Sequence, residues 1–225
     1  MSETLFNDIN DFKKCMETIT EIDGLLDKRG YELHKNYDNL DYNEYNNFNS
    51  IELMGHKKDS NRYCFMYFVN NTSFLSKSYK TKSENNINKV EENIRKLYNI
   101  NNNKEIDINL IIILTQPLKI NSYILEKKII EKIDVENIQI FTYATLLFNI
   151  TKHNKVPKHI RVISDKEEIR QLCELKNVSD LIKLPKILLS DPLANFYGLR
   201  LGEIFEFKRY SKNSGLYIYY RLCVC

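Results

Sequence analysis

An α+β fold in two modules is predicted by three features of the chain. Over residues 1–150 the apolar positions switch between helical and strand periods, the pattern changes and a proline enters after Ile150, and residues 185–225 read as a short capped helix feeding a β-hairpin. The first module, residues 1–150, is expected to be a small α/β layer with a central sheet and flanking helices. The second, residues 151–225, is expected to be a small mixed α/β unit that ends in the hairpin.

In the first module, Ile9, Phe12, Met16, Ile19 and Leu26 recur at three- and four-residue steps, which predicts an amphipathic helix over 5–28, ended by Gly30. Gly24 inside it costs about 1 kcal/mol relative to alanine and marks a bend. Residues 31–49, dense in Tyr, Asn and Asp, read as surface with a short helix near 41–47. Residues 62–69 are aromatic and β-branched enough for a strand, preceded by another at 51–56. Ile87, Val90, Ile94 and Leu97 line one side of a helix over 83–98. Residues 106–115 are apolar almost throughout, as in a strand covered on both faces. A helix capped by Asn121 or Ser122 follows, with a seam of Leu125, Ile129 and Ile133, then a strand at 138–141 and a helical turn over 142–149. The order of these strands in the sheet does not follow from the sequence.

In the second module a helix over 165–175 starts at Ser164, and residues 178–182 make a short turn. Asp191 before Pro192 sets an N-cap oxygen ahead of a proline whose missing N–H is no loss at the first helical position. Gly198 stops that helix, because a left-handed C′ position favours glycine. Gly202 turns the chain into a strand at 203–208. Its partner at 216–222 sets Leu216, Ile218, Tyr220 and Leu222 on one face and Tyr217, Tyr219 and Arg221 on the other. Residues 210–215, with Gly215, close the hairpin.

These residues carry a resemblance. Val156-Pro-Lys-His-Ile160, Asp191-Pro192, Phe196-Tyr-Gly-Leu-Arg-Leu-Gly202 and Ser214-Gly-Leu-Tyr-Ile-Tyr-Tyr-Arg221 stand in an order similar to the fifth subunit of DNA-dependent RNA polymerases. That subunit is shared by the three eukaryotic nuclear enzymes. Its archaeal counterpart is the small C-terminal domain alone, and large DNA viruses carry versions of it. The resemblance covers about a third of the chain strongly and matches the first 150 residues only in layout. It implies that residues 1–150 form a jaw domain beside downstream DNA and that 151–225 form the assembly domain that binds the largest subunit. The family usually has a basic residue after the hairpin glycine, where this chain has Leu216. Partners implied are the largest and other polymerase subunits, with weak contact to downstream duplex DNA. The site is intracellular: the nucleus for a cellular subunit, the virion and host cytoplasm for a viral one.

Charge agrees with a guiding rather than a gripping role. Of 33 basic and 30 acidic residues, 14 and 8 fall after residue 150, leaving 19 and 22 before it, so the halves carry +6 and −3. Neither is the polycation of a stand-alone nucleic-acid binder. The abundance of Asn, Ile, Lys and Tyr matches an AT-rich genome, so the Asn runs are background. Cysteines at 15, 64, 173, 223 and 225 have no framework spacing, and no secretory signal is recognisable, which fits a reducing compartment. The apolar run 110–114 is far shorter than the ~20 residues of a membrane helix.

Catalytic constellations are missing from the pattern. A nuclease on a small α/β sheet needs an acid and then acid-x-lysine on the next strand to hold Mg²⁺, and strand 106–115 offers only Asp107. A degenerate nuclease-like nucleic-acid enzyme is thus the alternative reading. Nucleophile-elbow and phosphate-loop glycine motifs are absent. Cys223 and Cys225 with His153 and His159 lack the paired spacings of a zinc site. No metal, cofactor, membrane or small-molecule substrate is expected. Interface candidates are Pro157, Lys158, His159, Asp191, Pro192, Gly198, Arg200, Gly202, Gly215, Tyr217, Tyr219 and Arg221. His159 has a blander reading, as a ring satisfied by backbone in a turn. Arg200, Lys208, Arg209 and Arg221 have one too, as charges that keep a hairpin soluble and blunt its edge. The functional reading is an edge that meets another subunit by strand addition and charge pairing.

Overall fold

The computed structural model describes residues 9–33, 50–58, 60–69, 107–114, 137–157, 159–213 and 215–225. The helices expected at 41–47, at 83–98 and from Asn121 onward lie outside them. The chain divides into two compact units, Met1–Phe148 and Asn149–Cys225.

Residues 9–28 of the first unit form two helices, α1 (Ile9–Thr20) and α2 (Leu25–Lys28), where the apolar period predicts one. Hydrophobic period does not register the break; backbone geometry does. Asp23 adopts φ 65°, its N–H donating to Asp27 Oδ2 at 2.9 Å, and a Cβ on Gly24 would lie 2.7 Å from Glu21 O and 2.9 Å from Thr18 O. The chain doubles back too tightly for any side chain at that position. Phe12, Cys15 and Ile19 of α1 and Leu25 and Leu26 of α2 are thereby buried together on one side. Gly24→Ala is expected to lower stability by about 1–3 kcal/mol through this overlap, read from urea unfolding monitored by circular dichroism. An unchanged midpoint would show that the turn relaxes freely.

Among the described residues, five strands form the sheet of this unit in the order β1-β2-β3-β4-β5: β1 (Glu32–Leu33), β2 (Ser50–His56), β3 (Arg62–Val69), β4 (Asp107–Leu114) and β5 (Asn137–Thr142). β1 to β3 run antiparallel, and β4 and β5 continue parallel to β3. Every residue of β4 after Asp107 is buried, so its run, apolar but for Asn109, is that of a central strand. Amides within the sheet are paired. Asn109 Nδ2 donates to the Tyr31 hydroxyl at 2.5 Å, and Arg29 Nη1 donates to Gln139 Oε1 at 2.6 Å with its guanidinium 5.9 Å from the centre of the Phe141 ring. After β5 the chain turns through a 3₁₀ helix, Tyr143–Leu146.

The second unit holds a four-stranded mixed sheet in the order β6-β8-β9-β7, with β6 (His159–Ile163), β7 (Lys186–Leu188), β8 (Ile204–Ser211) and β9 (Gly215–Val224). Only the last two strands were expected. β6 and β7 are too short, at 5 and 3 residues, to show a period, and prolines precede both. Helix α3 (Lys166–Leu175) is capped by Asp165, whose carboxylate accepts from Glu168 N–H at 2.8 Å, one residue later than Ser164. The turn near 178–182 is a 3₁₀ helix at Leu181–Lys183. Ile163, Ile204 and Leu222 form the core on one face of the sheet, with Ile169 and Leu172 of α3 packed against them. The fold is therefore α+β, two mixed sheets with helices.

Candidate assembly interface

Helix α4 (Pro192–Tyr197) forms as its residues dictate. Asp191 accepts from Leu193 N–H at 2.8 Å, Pro192 occupies the first turn, and Gly198 takes φ 68° so that its own N–H and that of Leu199 close onto α4 carbonyls. Arg200 N–H donates to Glu203 Oε2 at 2.7 Å across the next turn, where Gly202 adopts φ 84°. Gly202 N–H then donates to Cys223 O at 3.1 Å and Cys223 N–H to Glu203 O at 2.9 Å, which fixes the start of β8 against the end of β9. Asp191, Pro192, Gly198 and Gly202 thus shape the approach to the hairpin. Gly215, at φ 67°, reverses the chain at its far end.

The hairpin is longer than expected. β8 and β9 pair from Ile204↔Leu222 to Ser211↔Gly215, so the predicted loop at 210–215 shrinks to the residues between them. A ladder of aromatic rings climbs one face. Tyr197 meets Phe205 at 5.3 Å, Phe205 meets Phe207 at 5.2 Å, Phe207 stacks on Tyr219 at 4.8 Å, and Tyr219 on Tyr217 at 5.6 Å. Tyr217 and Tyr219 are therefore partly covered by their own sheet. The exposed apolar surface lies on the opposite face near the tip: Tyr210 is 77%, Leu216 63% and Ile218 42% accessible. Leu216 and Ile218 share a face with Tyr220 and Leu222, as the alternation predicts, but the core on that face ends at Tyr220 and Leu222, short of the tip.

β9 also presents a free edge. β7 pairs with it only from Lys186↔Leu222 to Leu188↔Val224, so residues 216–221 have β8 on one side and no strand among the described residues on the other. Arg221 is exposed near the inner end of that edge and makes no ion pair among the described residues. Of the remaining candidates, Pro157 follows a trans peptide bond and precedes β6, whose first residue, His159, pairs with Lys208 in a strand rather than sitting in a turn. Lys158 lies outside the described residues.

A polar cluster behind the hairpin was not singled out in the sequence. Glu206 is buried, with Arg161 Nη2 at 3.1 Å and Lys208 Nζ at 3.8 Å, and Arg161 Nη1 reaches Glu168 Oε1 at 2.5 Å. The hydrogen bonds that the Arg161 guanidinium donates to Glu206 and Glu168 hold it above its ordinary range. Burial, then the charge of Glu206, raises the Tyr220 phenol. Arg161 lies directly opposite Glu206 in the β6–β8 register, a pairing visible only once β6 is read as a strand. The cluster ties α3, β6 and β8 together and offers no reacting group.

Enzymatic constellations do not assemble among the described residues. Asp107 pairs with Arg62 Nε at 2.9 Å, while β4 and β5 add the amides of Asn109 and Gln139 where a nuclease needs carboxylates. No group of three or more His, Cys, Asp or Glu among the described residues is placed to hold a metal ion.

Residues 148–223 match the family model described as RNA polymerase Rpb5, C-terminal domain. The second unit is similar to this family's domain over nearly its whole length. The chain is 43% identical over 84 residues to a Dictyostelium discoideum protein named as subunit rpabc1 of DNA-directed RNA polymerases I, II and III. It is 40% identical over 84 residues to the RPABC1 proteins of Caenorhabditis briggsae and Caenorhabditis elegans. Each match covers 37% of this chain and 41%, 38% and 38% of the respective relatives, so the chain matches about two-fifths of their length. The matched segment contains all the interface candidates named from the sequence.

Proposed function

We propose that the chain is a non-catalytic subunit of a multisubunit DNA-dependent RNA polymerase. Residues 151–225 dock on the largest subunit, and residues 1–150 form a jaw beside downstream duplex DNA. The observation that carries this is the family match of the second unit, joined to a hairpin whose β9 edge is open over 216–221 and bears an exposed arginine. An open edge recruits an extended segment through main-chain hydrogen bonds, and Arg221 adds a bidentate partner for a carboxylate. Nucleotide addition belongs to the large subunits, and the jaw guides DNA by sparse, sequence-independent phosphate contacts. The compartment is that of the enzyme: the nucleus for a cellular polymerase, the virion and host cytoplasm for a viral one.

The test is affinity purification of the tagged chain from its own cells, with the co-purifying proteins identified by mass spectrometry. The wild type is expected to bring down the two large polymerase subunits. Tyr217→Ala with Arg221→Glu is expected to lose them by about tenfold or more, since both positions are exposed and the chain stays folded. No polymerase subunit with the wild type rejects the function. Full retention by the double variant rejects only the β9 edge.

A further inference from the structure

The tip of the hairpin borders a cleft on the side away from the free edge of β9. An open cleft of about 730 Å³ lies between the segment 154–157 and the tip of the hairpin. Its apolar lining is Val156, Pro157, Tyr210 and Leu216, and its cations are Lys155, Lys208 and Arg209. No carboxylate lines it among the described residues. The wall is fixed rather than incidental: Arg209 Nη2 donates to Lys155 O at 2.9 Å, bridging 54 positions of sequence. β6 ends its pairing at His159↔Lys208, so residues 209–211 of β8 face the cleft side with no strand beside them among the described residues.

We propose that this cleft binds an extended acidic protein segment that carries an aliphatic side chain. Charge complementarity names the partner: Lys155 and Arg209 have no carboxylate beside them among the described residues and Lys208 shares only Glu206, so the cleft is net positive and calls for carboxylates, while the aliphatic lining calls for a Leu- or Ile-like anchor between them. The unpaired stretch of β8 accepts the backbone of a segment in strand conformation. A nucleic acid fits less well. Its bases stack on flat aromatic surfaces, and Tyr210 is the one aromatic ring in a lining whose other apolar residues are Val156, Pro157 and Leu216. Leu216 decides the chemistry, because a basic residue there would replace the aliphatic lining with a fourth charge. The cleft keeps this chemistry whether or not the chain serves a polymerase.

Fluorescence anisotropy with the full chain tests it. The probes are a labelled peptide with a central Leu flanked by Asp and Glu, the same peptide with Ala for Leu, and a labelled DNA duplex. The Leu peptide is expected to bind saturably and the Ala peptide about tenfold more weakly, the value of one buried aliphatic side chain. Leu216→Glu and Lys155→Glu, both at the surface, are each expected to weaken the Leu peptide by about tenfold, while Arg221→Glu on the β9 side leaves it unchanged. No binding, equal affinity for the Leu and Ala peptides, or indifference to Leu216→Glu overturns the proposal. Preferential binding of the duplex replaces the peptide with nucleic acid, and loss of peptide binding in Arg221→Glu moves it to the free edge.

Discussion

Phe205→Ala is expected to remove about 3–5 kcal/mol from the stability of the second unit. Phe205 is fully buried at the inner end of the ring ladder, with Tyr197 of α4 at 5.3 Å on one side and Phe207 at 5.2 Å on the other. Truncation forfeits the transfer energy of the ring and leaves a cavity that neighbours on a paired strand cannot close, because β8 is bonded to β6 and β9 on both sides. It also removes the ring against which Tyr197 packs α4. A small domain has about 5–15 kcal/mol in total, so the expected result is broad loss of amide protection over β6, β8 and β9 in hydrogen exchange. Tyr217→Ala is the control. Tyr217 caps the ladder at the exposed tip, and its loss is expected to cost about 0.5–1.5 kcal/mol, the value of one aromatic pair. Equal effects of the two variants would show that the ladder is a surface ornament rather than the core of this face.

What the sequence revealed and what it hid divide along one physical line. Signals confined to a few adjacent residues were legible. Asp191, Pro192 and Gly198 define α4 because capping, fixed φ and a left-handed terminus are local, and the alternation in 216–222 defines β9 for the same reason. Features created by pairing were not. β6 and β7 gain their strand character from the neighbours they bond to, and the Glu206 cluster from the register of β6 on β8. The break at Gly24 sits between these cases, since the glycine was visible and the carbonyls of Thr18 and Glu21 that demand it were not. At the interface, side-chain alternation correctly assigned Tyr217 and Tyr219 to the face opposite Leu216 and Ile218. Which face is covered at the tip depends on where α3 and α4 stop, and a single strand pattern holds no record of that.

Above about pH 9 the first unit is expected to lose stability steeply, because three of its buried groups ionise only at a cost. Burial pushes the Cys15 and Cys64 thiols up to about 12 from an ordinary 9.0, and burial together with the charge of Cys64 pushes the Tyr31 phenol up to about 12 from 10.0. The folded unit keeps these protons where the unfolded chain releases them. Their contribution is therefore complete below pH 9 and is lost as the pH rises toward 12, with a slope that approaches about 1.4 kcal/mol per pH unit for each group. Arg29 acts in the opposite sense. Burial lowers it to about 10 from 12.5, so above pH 10 the folded unit gives up a proton that the unfolded chain retains, and one of the three slopes is offset. Between pH 9 and 10 the thiols dominate, because Tyr31 in the unfolded chain and Arg29 in the folded unit reach their midpoints only at about pH 10 and act in opposite senses. Urea unfolding across that window is expected to show the slope in the wild type and a slope smaller by nearly one proton in Cys64→Ala, whatever that variant costs at neutral pH. Identical slopes would mean that Cys64 ionises as readily in the folded unit as in the unfolded chain, and the dry packing of β3 beneath Tyr31 and Arg29 would have to be abandoned.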